Sequence, residues 1–112
     1  MKKLEIVIRP EKLEELKAIL EESNANGLMI THIMGYGNQK GYKQIYRGNE
    51  TTVNLLPKIK VESVVTPEVA EVVIEKVLKA LNTGNYGDGK IFVYDVADVV
   101  RVRTGERGVE AL

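Results

Sequence analysis

Ile6-Val7-Ile8-Arg9-Pro10-Glu11 near the start of the chain has a counterpart in Ser63-Val64-Val65-Thr66-Pro67-Glu68. Each is a β-rich run closed by X-Pro-Glu, and each opens a helical pattern, LEELKAILEE over residues 13–22 and VAEVVIEKVLKAL over residues 69–81. Proline suits the first helical turn, where its missing N–H is not needed and its φ is already correct. Thr66 is suited to cap the second helix. Leu13, Leu16 and Leu20 recur with helical spacing, as do Val69, Val72, Val73 and Val77, so each helix has one apolar face. Glu11, Glu14 and Glu15 fall where the dipole of the first helix favours acids. A further strand is predicted after each helix, over residues 27–35 (GLMITHIMG) and 90–100 (KIFVYDVADVV).

Two βαβ units joined by one long connection predict an α+β, ferredoxin-like βαββαβ fold, whose antiparallel sheet has a long loop between its second and third strands. Leu4, Ile6 and Ile8 alternate with Glu5 and Val7, and Leu28, Ile30 and Met34 oppose Met29, Thr31 and Ile33. Helices on one side leave the other face of such a sheet in water. That face is still fairly apolar here, which predicts packing against other subunits.

The chain has 112 residues, a single-domain length. Its 16 Lys plus Arg balance 16 Asp plus Glu, so no basic excess exists to hold nucleic acid. No stretch approaches the roughly 18–20 apolar residues of a membrane span. The opening Met1-Lys2-Lys3-Leu4-Glu5 runs straight into a strand rather than a signal peptide. Cysteine is absent, which excludes thiol catalysis and disulfides and fits the cytoplasm. The one histidine, His32, has no metal-ligating partner in the pattern, and no nucleophile motif appears. Phe92 and Tyr94 are spaced like stacking aromatics, but Asp95 and Asp98 beside them disfavour RNA.

Two segments depart from the strand and helix patterns. Residues 36–54 exceed the usual 4–6 residues of a connection and hold three glycines and three tyrosines. Five basic residues oppose Glu50 alone between Tyr36 and Lys60, a composition that predicts a flexible docking arm for a partner protein. Residues 82–90 contain Gly87-Asp88-Gly89-Lys90, where glycines permit converging N–H groups and the lysine adds charge. Arg101 and Arg103 are predicted on one face of an extended segment, spaced to fork onto phosphate oxygens. Ile91 follows the lysine where a Walker loop needs Ser or Thr. By itself the glycine segment reads equally well as a structural turn or a phosphate cradle.

Over its whole length the sequence resembles the PII nitrogen-regulatory signal proteins. The motifs are Thr83-x3-Gly87-Asp88-Gly89-Lys90-Ile91-Phe92-Val93 with Asp95-Val96, and Arg101-Val102-Arg103-Thr104-Gly105-Glu106. Gly35-x-Gly37, Gln39-Lys40-Gly41, Tyr46-Arg47-Gly48 and Leu56-Pro57-Lys58 match at the family's spacing.

The resemblance implies a cytoplasmic homotrimer binding ATP or ADP in clefts between subunits, and a signalling protein rather than an enzyme. It implies that Gly87, Asp88, Gly89, Lys90, Arg101 and Arg103 hold phosphates, with Gly37, Asn38, Gln39 and Val64 lining the cleft. Gln39 would ligate the magnesium joining ATP to 2-oxoglutarate. Lys58 would meet the distal carboxylate of that acid, and Lys40 and Gly41 its near end. Tyr46, Arg47 and Gly48 would dock on an ammonium transporter, the only implied link to a membrane, or on a nitrogen-metabolism regulator or enzyme. Thr51 and Asn49 stand where relatives carry a nucleotidylylated tyrosine and a phosphorylated serine, which implies regulation by ligands alone. Asn38 replaces an arginine that reaches the terminal phosphate, and Met29 replaces a small polar residue near the adenine. The alternatives are a PII-like sensor of another small ligand, such as an adenine mononucleotide or a metal, and an acylphosphatase-type enzyme. The latter lacks a glycine-rich phosphate loop after the first strand. As domain boundaries, residues 1–112 form one unit with a flexible loop at 36–54, a nucleotide loop at 82–90 and a C-terminal loop at 101–112.

Overall fold

The computed structural model describes residues 1–25, 27–36, 42–46, 49–53 and 55–112, with 42–46 and 49–53 described by their backbone alone. Strand β1 (Lys2–Ile8) leads through a 3-10 turn at Pro10–Lys12 into helix α1 (Leu13–Glu22). Strand β2 (Met29–Gly35) is followed by β3 (Tyr42–Tyr46), β4 (Asn49–Val53) and the long β5 (Leu56–Val65). Helix α2 (Pro67–Leu81) and strand β6 (Lys90–Asp95) complete the regular elements, and a 3-10 turn at Gly108–Ala111 lies in the tail.

The main sheet has the order β2-β5-β1-β6 with every neighbouring pair antiparallel, as two interleaved βαβ units require. Leu4 and Ile6 stand opposite Ser63 and Val61 on β5 and opposite Val93 and Ile91 on β6. Side chains of directly opposed residues share a face, so Leu4, Ile6, Ile8, Ile59, Val61 and Val65 form the sheet side of the core. The helices pack beside each other and contribute Leu16, Ile19, Leu20, Ala70, Val73, Val77 and Leu81. Thr66 caps α2 as its sequence predicts, accepting a hydrogen bond from Val69 N–H at 3.3 Å.

Several boundaries differ from the sequence expectation. The strand expected over 27–35 begins at Met29, and that expected over 90–100 ends at Asp95, where Val96 N–H bonds to Met1 O. Past Asp95 the run of valines no longer has a neighbouring strand to pair with. The 36–54 connection contains a two-stranded ladder, β3 against β4. Val72 is exposed, because Ala70, Val73, Val77 and Leu81 make a tighter stripe that turns it outward. On the sheet face away from the helices, Met29, Phe92 and Tyr94 are exposed, which agrees with the apolar second face read from the alternation.

Candidate functional site

One row of residues at a common end of the adjacent strands β5, β1 and β6 organises the site. Val7 lies opposite Lys60 on β5 and Lys90 on β6. Extending both ladders by two residues puts Arg9 between Lys58 and Asp88. Arg9 Nη1 stands 3.5 Å from Asp88 Oδ1, and its Nη2 donates to the Tyr86 carbonyl at 2.5 Å. Lys58 Nζ donates to the Gly87 carbonyl at 3.0 Å. Two cations on neighbouring strands thus hold consecutive carbonyls of the glycine-rich segment between α2 and β6.

That segment is tied internally as well. Asp88 accepts from Thr83 N–H at 2.8 Å, from Gly84 N–H at 3.0 Å and from the Thr83 hydroxyl. The Thr83 hydroxyl and amide, with Gly84 N–H and the Arg9 charge, hold the Asp88 carboxyl below the ordinary carboxylate range. Asn82 Oδ1 accepts from Gly84 N–H at 2.8 Å, closing the turn after the helix. Gly84, Gly87 and Gly89 have φ of 80°, 90° and 116°, the region glycine enters without strain. Gly89 has a second reason to be glycine: a Cβ there would lie 1.9 Å from the Val7 carbonyl oxygen. Lys90 then opens β6 beside the turn.

Lys58 is 9 % exposed. Desolvation, followed by repulsion from Arg9, lowers its pKa from the usual lysine value. Its stem runs over Gly35, where an added Cβ would stand 3.0 Å from Lys58 Cγ. A partly desolvated ammonium beside a turn of positive-φ glycines is an arrangement that receives a small anion. The mostly apolar cleft of about 450 Å³ between α2 and β6, reached past Gly89 and Lys90, lies on the helix side of the sheet, opposite Lys58.

The tail forms a separate group. Arg101 Nη1 donates to Glu106 at 2.9 Å and Nη2 to the Leu112 carbonyl at 3.0 Å. Asp98 accepts from Val99 N–H, Gly108 N–H and Arg107 Nε, which closes residues 99–108 into a turn. Residues 102–104 are in that turn, with Gly105 N–H on Arg101 O at 2.7 Å. The extended segment expected to align Arg101 with Arg103 is therefore absent, because Gly105 and Gly108 at positive φ and the carboxyl of Asp98 fold the chain back. Among the described residues, neither arginine reaches the 82–90 segment by a hydrogen bond or ion pair.

The structure thus brings Lys58, Gly87, Asp88, Gly89 and Lys90 together and leaves Arg101 and Arg103 apart from them. Val64 lies on β5 opposite Lys3, on the face away from the helices. Tyr46 ends β3, while Gly37, Asn38, Gln39, Lys40, Gly41, Arg47 and Gly48 lie outside the described residues. Sequence reasoning missed Arg9 and the structural part played by Thr83. The signal for Arg9 was the register itself, since pairing Ile6 with Val61 and Ile91 carries Arg9 to the same row as Lys58 and Asp88.

Comparison with known proteins gives concordant results. The family model described as Nitrogen regulatory protein P-II matches residues 1–106. Proteins named Nitrogen regulatory protein P-II from Rhizobium meliloti and Mesorhizobium japonicum are 50 % and 47 % identical, each over 100 % of both chains. A solved structure of Bacillus subtilis GlnK superposes with a TM-score of 0.80 at 39 % identity, covering 99 % of this chain and 97 % of that one. Among the described residues no helix is long and apolar enough to cross a membrane.

Proposed function

The chain belongs to the nitrogen regulatory protein P-II family, and on that premise we propose that it is a cytoplasmic homotrimeric sensor of ATP or ADP. The observation that carries this reading is the row Lys58–Arg9–Asp88, which holds the glycine turn next to Lys90. Phosphate oxygens are strong acceptors, and they suit main-chain N–H groups at positive-φ glycines backed by a lysine. Gly87, Asp88, Gly89 and Lys90 hold the phosphates in this reading, and Gly37, Asn38, Gln39 and Val64 line the remaining cleft. Arg101 and Arg103 come from the neighbouring subunit. Among the described residues neither makes a hydrogen bond or ion pair to the 82–90 segment of its own chain, which supports that arrangement, as does the exposed apolar sheet face around Met29 and Phe92.

With magnesium on ATP, held through Gln39, the site takes 2-oxoglutarate. Its distal carboxylate draws on Lys58, and Lys40 and Gly41 hold the other end. The low exposure of Lys58 supports this role, since an anionic partner relieves the cost of a desolvated ammonium. The 36–54 segment, through Tyr46, Arg47 and Gly48, then docks on an ammonium transporter or a nitrogen-metabolism regulator or enzyme. The protein acts by binding rather than turnover.

Titration calorimetry tests this reading. ATP and ADP bind, and magnesium with 2-oxoglutarate strengthens ATP but not ADP. Sedimentation gives a mass three times that of one chain. Absence of binding by either nucleotide refutes the reading. Binding only of an adenine mononucleotide supports instead a P-II-like sensor of another ligand.

A further inference from the structure

A segment that runs past the last strand is ordinarily poorly ordered unless something ties it down. Here Val96 N–H ties it to the sheet through the Met1 carbonyl at 3.1 Å, and the chain beyond folds on itself. Val100 bridges to Arg107, Arg101 N–H bonds to the Glu106 carbonyl at 2.9 Å, and Gly105 N–H bonds to Arg101 O. That pairing puts Val102, Arg103 and Thr104 at the tip of the turn, all exposed. Asp98 stands at its base. Asp98 Oδ1 accepts from Val99 N–H at 2.8 Å and from Gly108 N–H at 3.1 Å, and Arg107 Nε donates to Oδ2 at 2.9 Å. One carboxylate therefore joins the residues that open and close the turn. Desolvation opposes its ionisation, but the Val99 and Gly108 amides and then Arg107 outweigh that and hold the carboxyl below the ordinary aspartate range. The amide bonds count for more than the ion pair, because Arg107 is 70 % exposed and water screens such a pair.

We propose that Asp98 is a positioning residue for phosphate binding across the subunit boundary: it touches no ligand, and by bonding to the Val99 and Gly108 amides it fixes the direction in which the 99–108 turn presents Arg103. The inference rests on the nucleotide reading above, in which the arginines of one subunit reach the phosphates held by the next. A small swing at the base of the turn is carried to its tip, so the alignment of Arg103 is set at Asp98 before a nucleotide arrives. An arginine whose main chain is already placed loses less freedom when it meets an anion.

Calorimetry with ADP and with adenosine tests it, on the unsubstituted chain and on Asp98→Ala, Asp98→Asn and Arg107→Ala, with sedimentation of each. Asp98→Ala is expected to weaken ADP about tenfold through lost alignment of Arg103. Adenosine, which has no phosphate, changes less than about twofold. Asp98→Asn keeps one acceptor for the amides and loses about threefold for ADP. Arg107→Ala, which removes only the exposed ion pair, changes ADP less than about twofold. In ¹H–¹⁵N spectra of the ligand-free protein, Asp98→Ala moves the Val99 and Gly108 amides and leaves those of Gly87 and Gly89 in place. Equal losses for ADP and adenosine, or a sedimenting mass below that of the unsubstituted chain in Asp98→Asn, would mean a role in folding or assembly and overturn the proposal. If Asp98→Ala does not fold, Asp98→Asn decides. Unchanged ADP binding in Asp98→Asn overturns the proposal while leaving the nucleotide reading intact, as do tail amides that stay in place. An unsubstituted chain that binds no ADP overturns both.

Discussion

Gly89→Ala places a methyl carbon 1.9 Å from the Val7 carbonyl oxygen, against roughly 3.5 Å for comfortable contact, so the two must part by more than an ångström. The obstacle is main chain and cannot rotate aside. Val7 is paired on both sides, to Lys60 and to Lys90, so β1 cannot yield without disturbing two ladders. The turn must therefore move. Alanine at φ 116° adds about 1–3 kcal/mol of backbone strain. Moving the turn also weakens the Lys58 and Arg9 bonds to Gly87 and Tyr86, worth on the order of 1 kcal/mol each at this partial exposure. The expected loss is about 2–4 kcal/mol, a large part of the roughly 5–15 kcal/mol that holds a protein folded. Urea unfolding followed by circular dichroism measures it, at one fixed protein concentration because assembly contributes to apparent stability. Gly84→Ala is the internal control. Its φ is 80°, but nothing lies within 4 Å of the added Cβ, so it costs only the strain, about 1 kcal/mol. If Gly89→Ala were no worse than Gly84→Ala, close approach to Val7 would not be what requires glycine there.

Two further outcomes are expected. Ser63 is 1 % exposed and, among the described residues, its Oγ has no hydrogen-bond partner, so Ser63→Ala stabilises the fold by about 1 kcal/mol; a destabilised variant in the same melt would show that the hydroxyl is satisfied. Asp88 has its folded pKa below that of an ordinary aspartate, so its contribution is complete above the ordinary value and is lost as pH falls through the lower folded one; a carboxyl ¹³C titration with a midpoint at or above the ordinary aspartate value contradicts the Thr83 and Gly84 bonds.

The elements themselves were legible because their signals are local. Pro10 and Pro67 begin their helical segments, Thr66 caps, and alternation around Leu4, Ile6 and Ile8 marks the buried face of β1. The end of β6 was not legible, because the residues beyond it keep an apolar pattern and only the lack of a pairing neighbour stops the strand. Val72 was assigned to the buried stripe on spacing alone, and packing chose Ala70 and Leu81 instead. In the tail, Arg101 and Arg103 alternate as in a strand, yet the carboxyl of Asp98 and two positive-φ glycines bend the segment.

The doubled strand–Pro–helix pattern and the glycine motif were enough to determine a βαββαβ chain with a glycine-rich turn before its last strand, since each depends on residues within a few positions of one another. Tertiary structure alone decided how that turn is held. Arg9 and Tyr86 are 77 residues apart, and Lys58 and Gly87 are 29 apart. These groups meet because antiparallel pairing puts the end of β1 and the starts of β5 and β6 at the same end of the sheet. Hydrogen-bond register across three strands, rather than any neighbouring residue, places two cations on the carbonyls of one turn.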